Sequence, residues 1–217
     1  MRRLALGLAL VLFASTSAPA QIPTLFSSGV GPSGSPLAPG LTDPHYQAYL
    51  WAIIPLPGLL IGQAETVNTW ALGVYPVHAG SSWIWATQDG NQNGAYPAVM
   101  FRTTFDLTGY NLASVIINAS MTADNQIWDV VLNGAILGQG INNWGATNDF
   151  TMSSGFQSGT NTLDFYAFDQ GQPAAFEVEL SGTGSQAVTA TPEPATMVLL
   201  GTGLLGVFGV ARRRRNK

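Results

Sequence analysis

Along the second half of the chain, side-chain character alternates with a period of two. Phe101, Thr103, Phe105 and Leu107 are interleaved with Arg102, Thr104 and Asp106. Phe176, Val178 and Leu180 are interleaved with Glu177, Glu179 and Ser181. Successive side chains of a strand point to opposite faces, so each run predicts a strand with one set inward and the other in water. Residues 114–121 carry Val115, Ile116 and Ile117 in succession and predict a more buried strand. Residues 127–132 run into Asn133-Gly134, a pair that accepts positive φ and so signals a hairpin turn. Residues 162–168 predict another strand, preceded by Gly159-Thr160-Asn161. Upstream, Pro55 and Pro57 make residues 51–63 extended and partly buried rather than helical. Residues 21–44, rich in Gly, Pro and Ser, predict an irregular arm or a loop-rich first strand region. Short strands punctuated by Gly, Asn and Asp, with no amphipathic helix between them, predict an all-β fold: an antiparallel β-sandwich or jelly roll.

Hydrophobicity at the two ends has a different pattern. Arg2 and Arg3 precede an apolar run over residues 4–13, and Ala18-Pro19-Ala20 then supplies small residues at the cleavage-site spacing. This order predicts a secretory signal peptide over residues 1–20, cut after Ala20, because the apolar run is too short to span a bilayer. At the other end Pro192-Glu193-Pro194 precedes residues 195–211, which carry no charge, and Arg212, Arg213, Arg214 and Arg215 follow at once. An apolar stretch of about 17 residues sits at the lower limit for a transmembrane helix. Its basic end is expected to stay in the cytoplasm, with the body outside. Gly201-Thr202-Gly203-Leu204-Leu205-Gly206 matches a dinucleotide-binding pattern, but the chain ends before the acidic residue that such a site needs. Gly203, Gly206 and Gly209 instead leave a thin helix face that permits close helix contacts. The predicted organisation is a signal peptide (1–20), an exported domain (21–190) and a C-terminal segment (191–217).

The C-terminal order of Pro192-Glu193-Pro194, a Gly- and Leu-rich span and an arginine cluster resembles the PEP-CTERM sorting signal. The resemblance implies recognition by exosortase, a membrane-embedded cysteine protease or transpeptidase, in a Gram-negative host that makes exopolysaccharide. It also implies passage through the export machinery, a transient anchor in the inner membrane, and a final place at the cell surface or in the extracellular matrix. The two prolines disfavour helix and hold Glu193 extended beside the bilayer.

Charge narrows the partners. Among the Lys and Arg residues only Arg102 lies between residues 21 and 190, whereas every acidic residue but Glu193 does. A surface so acidic excludes nucleic acid and other polyanions as ligands and leaves neutral sugars or metal cations open. The chain has no cysteine, so its fold rests on an apolar core without disulfides, and thiol chemistry is excluded.

The body resembles a jelly-roll domain that recurs in exported PEP-CTERM proteins, akin to galactose-binding and carbohydrate-binding modules. The matching stretches include Leu25-Phe26-Ser27-Ser28-Gly29-Val30, Asp43-Pro44-His45-Tyr46, Thr104-Phe105-Asp106-Leu107, Val131-Leu132-Asn133-Gly134 and Thr162-Leu163-Asp164-Phe165. The resemblance implies a non-catalytic, carbohydrate-interacting role.

Candidate chemistry agrees with that expectation. His45 and His78 stand in no nucleophile-elbow or metalloprotease motif, so no catalytic residue is expected. Asp124, Asp129, Asp164 and Asp169 keep a glycan hydrolase as a distant alternative, although turn chemistry explains loop aspartates more simply. Six tryptophans could stack on sugar rings: Trp51, Trp70, Trp83, Trp85, Trp128 and Trp144. Trp83 and Trp128 lie in strand-like runs and are expected in the core. Trp144, beside Asn142 and Asn143 in a loop-like stretch, is the expected glycan contact. No cofactor is expected, but a structural Ca²⁺ held by Asp43, Asp89 or Asp124 stays open. A passive coat component without a ligand is the second functional expectation.

Overall fold

The computed structural model describes residues 18–68, 75, 76, 78–187, 201–204 and 212–214. Trp70, Pro192, Glu193, Pro194, Arg215, most of the expected signal peptide and most of the expected membrane span lie outside the described residues.

Eleven strands occur among the described residues. They are β1 (Ala20–Gln21), β2 (Thr42–Ile53), β3 (Leu56–Thr66), β4 (Ile84–Trp85), β5 (Ala98–Asp106), β6 (Ile116–Asp124), β7 (Gln126–Leu132), β8 (Ala135–Ile136), β9 (Asn148–Met152), β10 (Thr160–Phe168) and β11 (Ala175–Gly184). They are hydrogen-bonded in the order β8-β7-β10-β5-β2-β3-β4-β11-β6-β9, with β1 on β11, and the pairings are antiparallel. The path folds over on itself. Phe101 on β5 and Phe176 on β11 are far apart in that order, yet their rings stack with centroids 5.2 Å apart. Phe165 on β10 reaches the same ring at 5.0 Å. The result is the expected all-β antiparallel sandwich, with β8-β7-β10-β5-β2-β3 as one layer and β4-β11-β6-β9 as the other.

The inward-facing set builds the core. Phe101, Phe105, Leu107, Ile117, Leu163, Phe165, Phe176 and Val178 belong to one buried cluster with Trp83 and Trp85. The β7–β8 hairpin turns at Asn133 (φ 51°) and Gly134 (φ 83°), the positive-φ pair that the sequence predicts. Residues 51–63 are the tip of the β2–β3 hairpin. Leu59 there is 73% exposed, so this extended segment is less buried than its composition suggests.

Two expectations are corrected. Glu177 does not face water: it is fully buried (0% exposed), because Ser81 and His78 of the segment before β4 lie on it. Trp128 is not in the core but 52% exposed. The β7–β10 register runs from Asp129↔Tyr166 to Ile127↔Ala167, which leaves Trp128 as the extra residue of a bulge. A bulge re-aims the side chain it inserts.

Residues Val188–Lys217 form a separate compact unit from Met1–Ala187. Within it, residues 201–204 and 212–214 are helical and exposed, including Arg212, Arg213 and Arg214. No helix among the described residues is long and apolar enough to cross a membrane.

Candidate functional site

The outer face of β11, β6 and β9 is a ladder of polar side chains. Register places Glu179, Ser120 and Asp149 in one row and Ser181, Asn118 and Thr151 in the next. These six side chains line a groove of about 470 Å³. Thr151 Oγ1 donates to Asn118 Oδ1 at 2.8 Å. Ser120 Oγ donates to Asp149 Oδ1 at 2.5 Å.

The segment before β4 meets this ladder at Ser120. His78 Nε2 lies 2.9 Å from Ser120 Oγ. Its Nδ1 lies 3.2 Å from Glu177 Oε2, an ion-pair separation too poorly aligned to count as a hydrogen bond. Ser81 Oγ donates to Glu177 Oε1 at 2.8 Å. The same segment brings in Tyr75, whose hydroxyl donates to Asp124 Oδ2 at 2.6 Å and whose ring lies 5.4 Å from that of Trp83. Burial is the main cause that pushes both the Asp124 carboxyl and the Tyr75 phenol above their usual ranges. Trp144 packs edge-on against Tyr75 at 5.6 Å and 90°, and is 49% exposed. Along β6, Ser120 and Asp124 are about 13 Å apart at roughly 3.3 Å per residue. The Tyr75–Trp144 pair therefore joins β6 at Asp124, beyond the ladder.

Glu177, His78 and Ser120 have the composition of a nucleophilic triad, but their hydrogen bonding runs the other way. A general base must accept the serine proton at Nε2. Here that proton is directed at Asp149. The Glu177 carboxylate first, then those of Glu179 and Asp149, raise the His78 pKa above its ordinary value, against an opposing contribution from burial. In its protonated form the imidazole donates to Ser120 and cannot take its proton. β6 is also paired on both sides, so its backbone N–H groups serve the ladders rather than an oxyanion hole. The arrangement fixes a charged, hydrogen-bonding wall.

A pH dependence follows. Because the folded-state pKa of His78 is raised, its contribution to stability is full below the ordinary value near 6.5 and is lost as pH rises through the raised value. Asp43 has the same sign: burial pushes its carboxyl up to about 6, so its contribution falls away between about 4 and 6. Asp124, also pushed up by burial, adds to the Asp43 fall, so melting temperatures should decline in a lower step from these two carboxyls and an upper step, above about 6.5, from His78. In a His78→Gln variant the upper step should vanish while the lower one stays, a result that a pH series of thermal melts reads directly.

The other expected residues are dispersed. Asn142 and Asn143 are exposed beside Trp144, and Asn143 Oδ1 turns back to accept from Gly145 N at 3.0 Å. Asp43 accepts from Gly29 N at 2.6 Å and from His45 N at 2.7 Å. Asp89 accepts from Thr87 Oγ1 and from Asn91 N. Among the described residues no three His, Asp or Glu side chains converge as a metal site. Asp129 caps Val130 N and Gln139 N, Asp164 is paired with Arg102, and Asp169 accepts from Asn91 Nδ2 and Gly171 N. His45 stacks on Phe26 with ring centroids 3.7 Å apart. Ala20 lies in β1, opposite Gly184, and Ala18 is exposed before it.

The family model of the PEP-CTERM protein-sorting motif matches residues 190–215. The chain carries a PEP-CTERM sorting motif. Its span includes Pro192-Glu193-Pro194, the apolar run and all four arginines from Arg212 to Arg215. A PEP-CTERM tail implies export and a membrane-anchored sorting step. No curated protein matches the chain significantly. Several solved structures are similar to the chain at low identity. A variant of a carbohydrate binding module family 29 is 12% identical, with a TM-score of 0.36, over 82% of this chain and 99% of that one. A cyclase from Fischerella sp. TAU is 11% identical, with a TM-score of 0.41, over 79% and 100%. A carbohydrate-binding module CBM36, solved with calcium and xylotriose, is 10% identical, with a TM-score of 0.29, over 76% and 98%. Identities and TM-scores this low carry no functional argument.

Proposed function

We propose that the body attached to this PEP-CTERM motif is a non-catalytic module that contacts neutral extracellular polysaccharide. The observation that carries the reading is the polar ladder on β11, β6 and β9, with the half-exposed Trp144 packed on Tyr75, which bonds Asp124 at the end of β6. An extended row of carboxylates, hydroxyls and an amide suits a ligand that offers hydroxyls at regular intervals. An indole beside it suits the apolar face of a sugar ring. Asp149 and Glu179 in the groove disfavour acidic polysaccharides. The triad-like cluster supports binding over catalysis, because the Ser120 proton is directed at Asp149 and Glu177 meets the His78 ring without the aligned hydrogen bond that an orienting carboxylate makes.

In this reading the signal peptide is removed after Ala20, exosortase processes the tail at Pro192-Glu193-Pro194, and the body is left outside the cell. The groove then meets the polysaccharide that the cell secretes, with Trp144 and the neighbouring Asn142 and Asn143 on its rim.

Affinity electrophoresis of the exported protein in gels containing galactomannan, dextran or hydroxyethylcellulose tests the binding. At least one of the three should retard the protein. Trp144→Ala should weaken that interaction about three- to tenfold, the worth of one aromatic contact. Equal mobility in all three gels would favour a coat component with no ligand.

A further inference from the structure

The layer β7-β10-β5-β2 has a feature that the groove does not explain. Its outer face carries an apolar cluster of its own, separate from the core. Met100, Val131 and Tyr166 are fully buried there, beneath Tyr49, Trp51 and Ile54. The outer face of a sandwich layer is ordinarily polar. Here it ends in an aromatic shelf. Trp51 meets Trp128 at 5.7 Å and Phe168 at 6.1 Å, edge to face in both cases. Trp128 is the residue inserted by the bulge, and the bulge is what turns its ring out of the core register into the solvent.

Polar groups border the shelf. Arg102 Nε and Nη2 donate to the two oxygens of Asp164 at 2.6 and 2.7 Å, and the guanidinium lies 5.6 Å from the centre of the Tyr49 ring. Tyr49 Oη donates to Gln47 Oε1 at 2.8 Å. Two of the five guanidinium N–H groups are thus directed at Asp164, and the remaining ones are donors available to a ligand.

We propose that this shelf is a second carbohydrate-binding surface, taking a pyranose of a neutral polysaccharide against Trp128 and Trp51, with hydroxyls directed to Arg102 and Gln47. The ligand class rests on the reading given for the groove, while the surface is a different one, on the outer face of the other layer. Three arguments select this occupant. Partly exposed aromatic side chains of this number present roughly 300 Å² of apolar surface. A stable second copy of the chain would need about 800 Å² from each partner. A lipid surface calls for several cationic side chains around the apolar patch. The body has Arg102 alone, and that charge is neutralised by Asp164. A ring with an apolar face and a hydroxylated rim matches both halves of the patch. With one binding surface on each layer, a single molecule holds two polysaccharide chains and acts as a cross-linker of the matrix.

The test uses the exported protein with galactomannan, dextran and hydroxyethylcellulose, comparing gel retardation with the rise in solution viscosity. Retardation needs one surface and a viscosity rise needs two. Trp128→Ala should keep retardation within about twofold and cut the viscosity rise at least fivefold, while Trp128→Tyr, which keeps a ring, should restore most of it. Trp128→Ala together with Trp144→Ala should abolish the viscosity rise and weaken retardation more than either change alone. If Trp144→Ala alone removes all retardation and Trp128→Ala changes neither readout, the shelf proposal is overturned and the groove reading stands. If Trp128→Ala alone removes retardation and Trp144→Ala has no effect, the shelf binds, while the groove reading and the cross-linking fail. If Trp128→Ala instead turns a dimer into a monomer in sedimentation, the occupant is a second copy and the proposal fails. No retardation in any gel overturns both.

Discussion

An Arg102→Leu variant is expected to lose about 3 kcal/mol of stability, and Arg102→Leu combined with Asp164→Leu should recover most of it. Asp164 sits on β10 directly opposite Arg102 on β5, and is 1% exposed. Its two oxygens are both satisfied by the guanidinium, in the bidentate geometry that makes such pairs strong. Removing the arginine leaves a carboxylate buried in the middle of a sheet with no other cation among the Lys and Arg residues of the body. The cost of an isolated buried charge then dominates the loss of the pair itself. Arg102 is partly exposed, which places the expected effect at the lower end of the usual range. Two leucines side by side would add to the adjoining apolar cluster of Met100, Val131 and Tyr166, so the double variant has no orphaned charge. Urea unfolding of the single and double variants measures the difference. A single variant within about 0.5 kcal/mol of the parent would show that water reaches Asp164 and that the pair is a surface ornament.

The same pair shows what a sequence can and cannot disclose. Phe101, Thr103, Phe105 and Leu107 face inward as their alternation predicts, because β5 is a regular strand and period two is a direct consequence of its geometry. The turn at Asn133-Gly134 is legible for an equally local reason, since few pairs accept positive φ twice. Arg102, in the outward set, has its partner 62 residues away, and local spacing carries no record of it. Glu177 looks like a solvent-facing strand residue because the side chains that bury it belong to a segment 96 residues earlier. Trp128 looks like a core residue because a bulge adds one position without any glycine or proline to announce it. Trp144 is legible as exposed from its loop composition, but its packing on Tyr75 is not. The sorting motif is the most legible part of all, because its signal is the order of composition along the chain and needs no folding to be read.

Gly29→Ala should be the costliest small substitution in the body, at about 3 kcal/mol or more, whereas Gly34→Ala should cost only about 1–2 kcal/mol. Both glycines have positive φ, 62° at Gly29 and 78° at Gly34, so both changes carry the left-handed backbone penalty. The difference lies in the space around them. A methyl group on Gly29 would sit 2.6 Å from both Cβ and O of Ser82, while nothing lies within 4 Å of one on Gly34. The contact at Gly29 cannot yield by rotating a flexible side chain, because Ser82 N is bonded to Ser28 O at 2.9 Å and Ser28 N to Val178 O at 3.0 Å. Relief must therefore come from moving the backbone at Ser82, and with it Ser81, whose hydroxyl holds Glu177 beneath His78. Gly29 also donates to the buried Asp43 carboxylate, so the same displacement disturbs a second polar contact. The expected signature is a stability loss in urea well above that of Gly34→Ala, joined by weaker polysaccharide retardation at temperatures where the variant is still folded. Equal costs for the two glycines would mean that the Gly29–Ser82 approach is looser than described. A stability loss with unchanged retardation would uncouple the Ser81–Glu177–His78 wall from the groove.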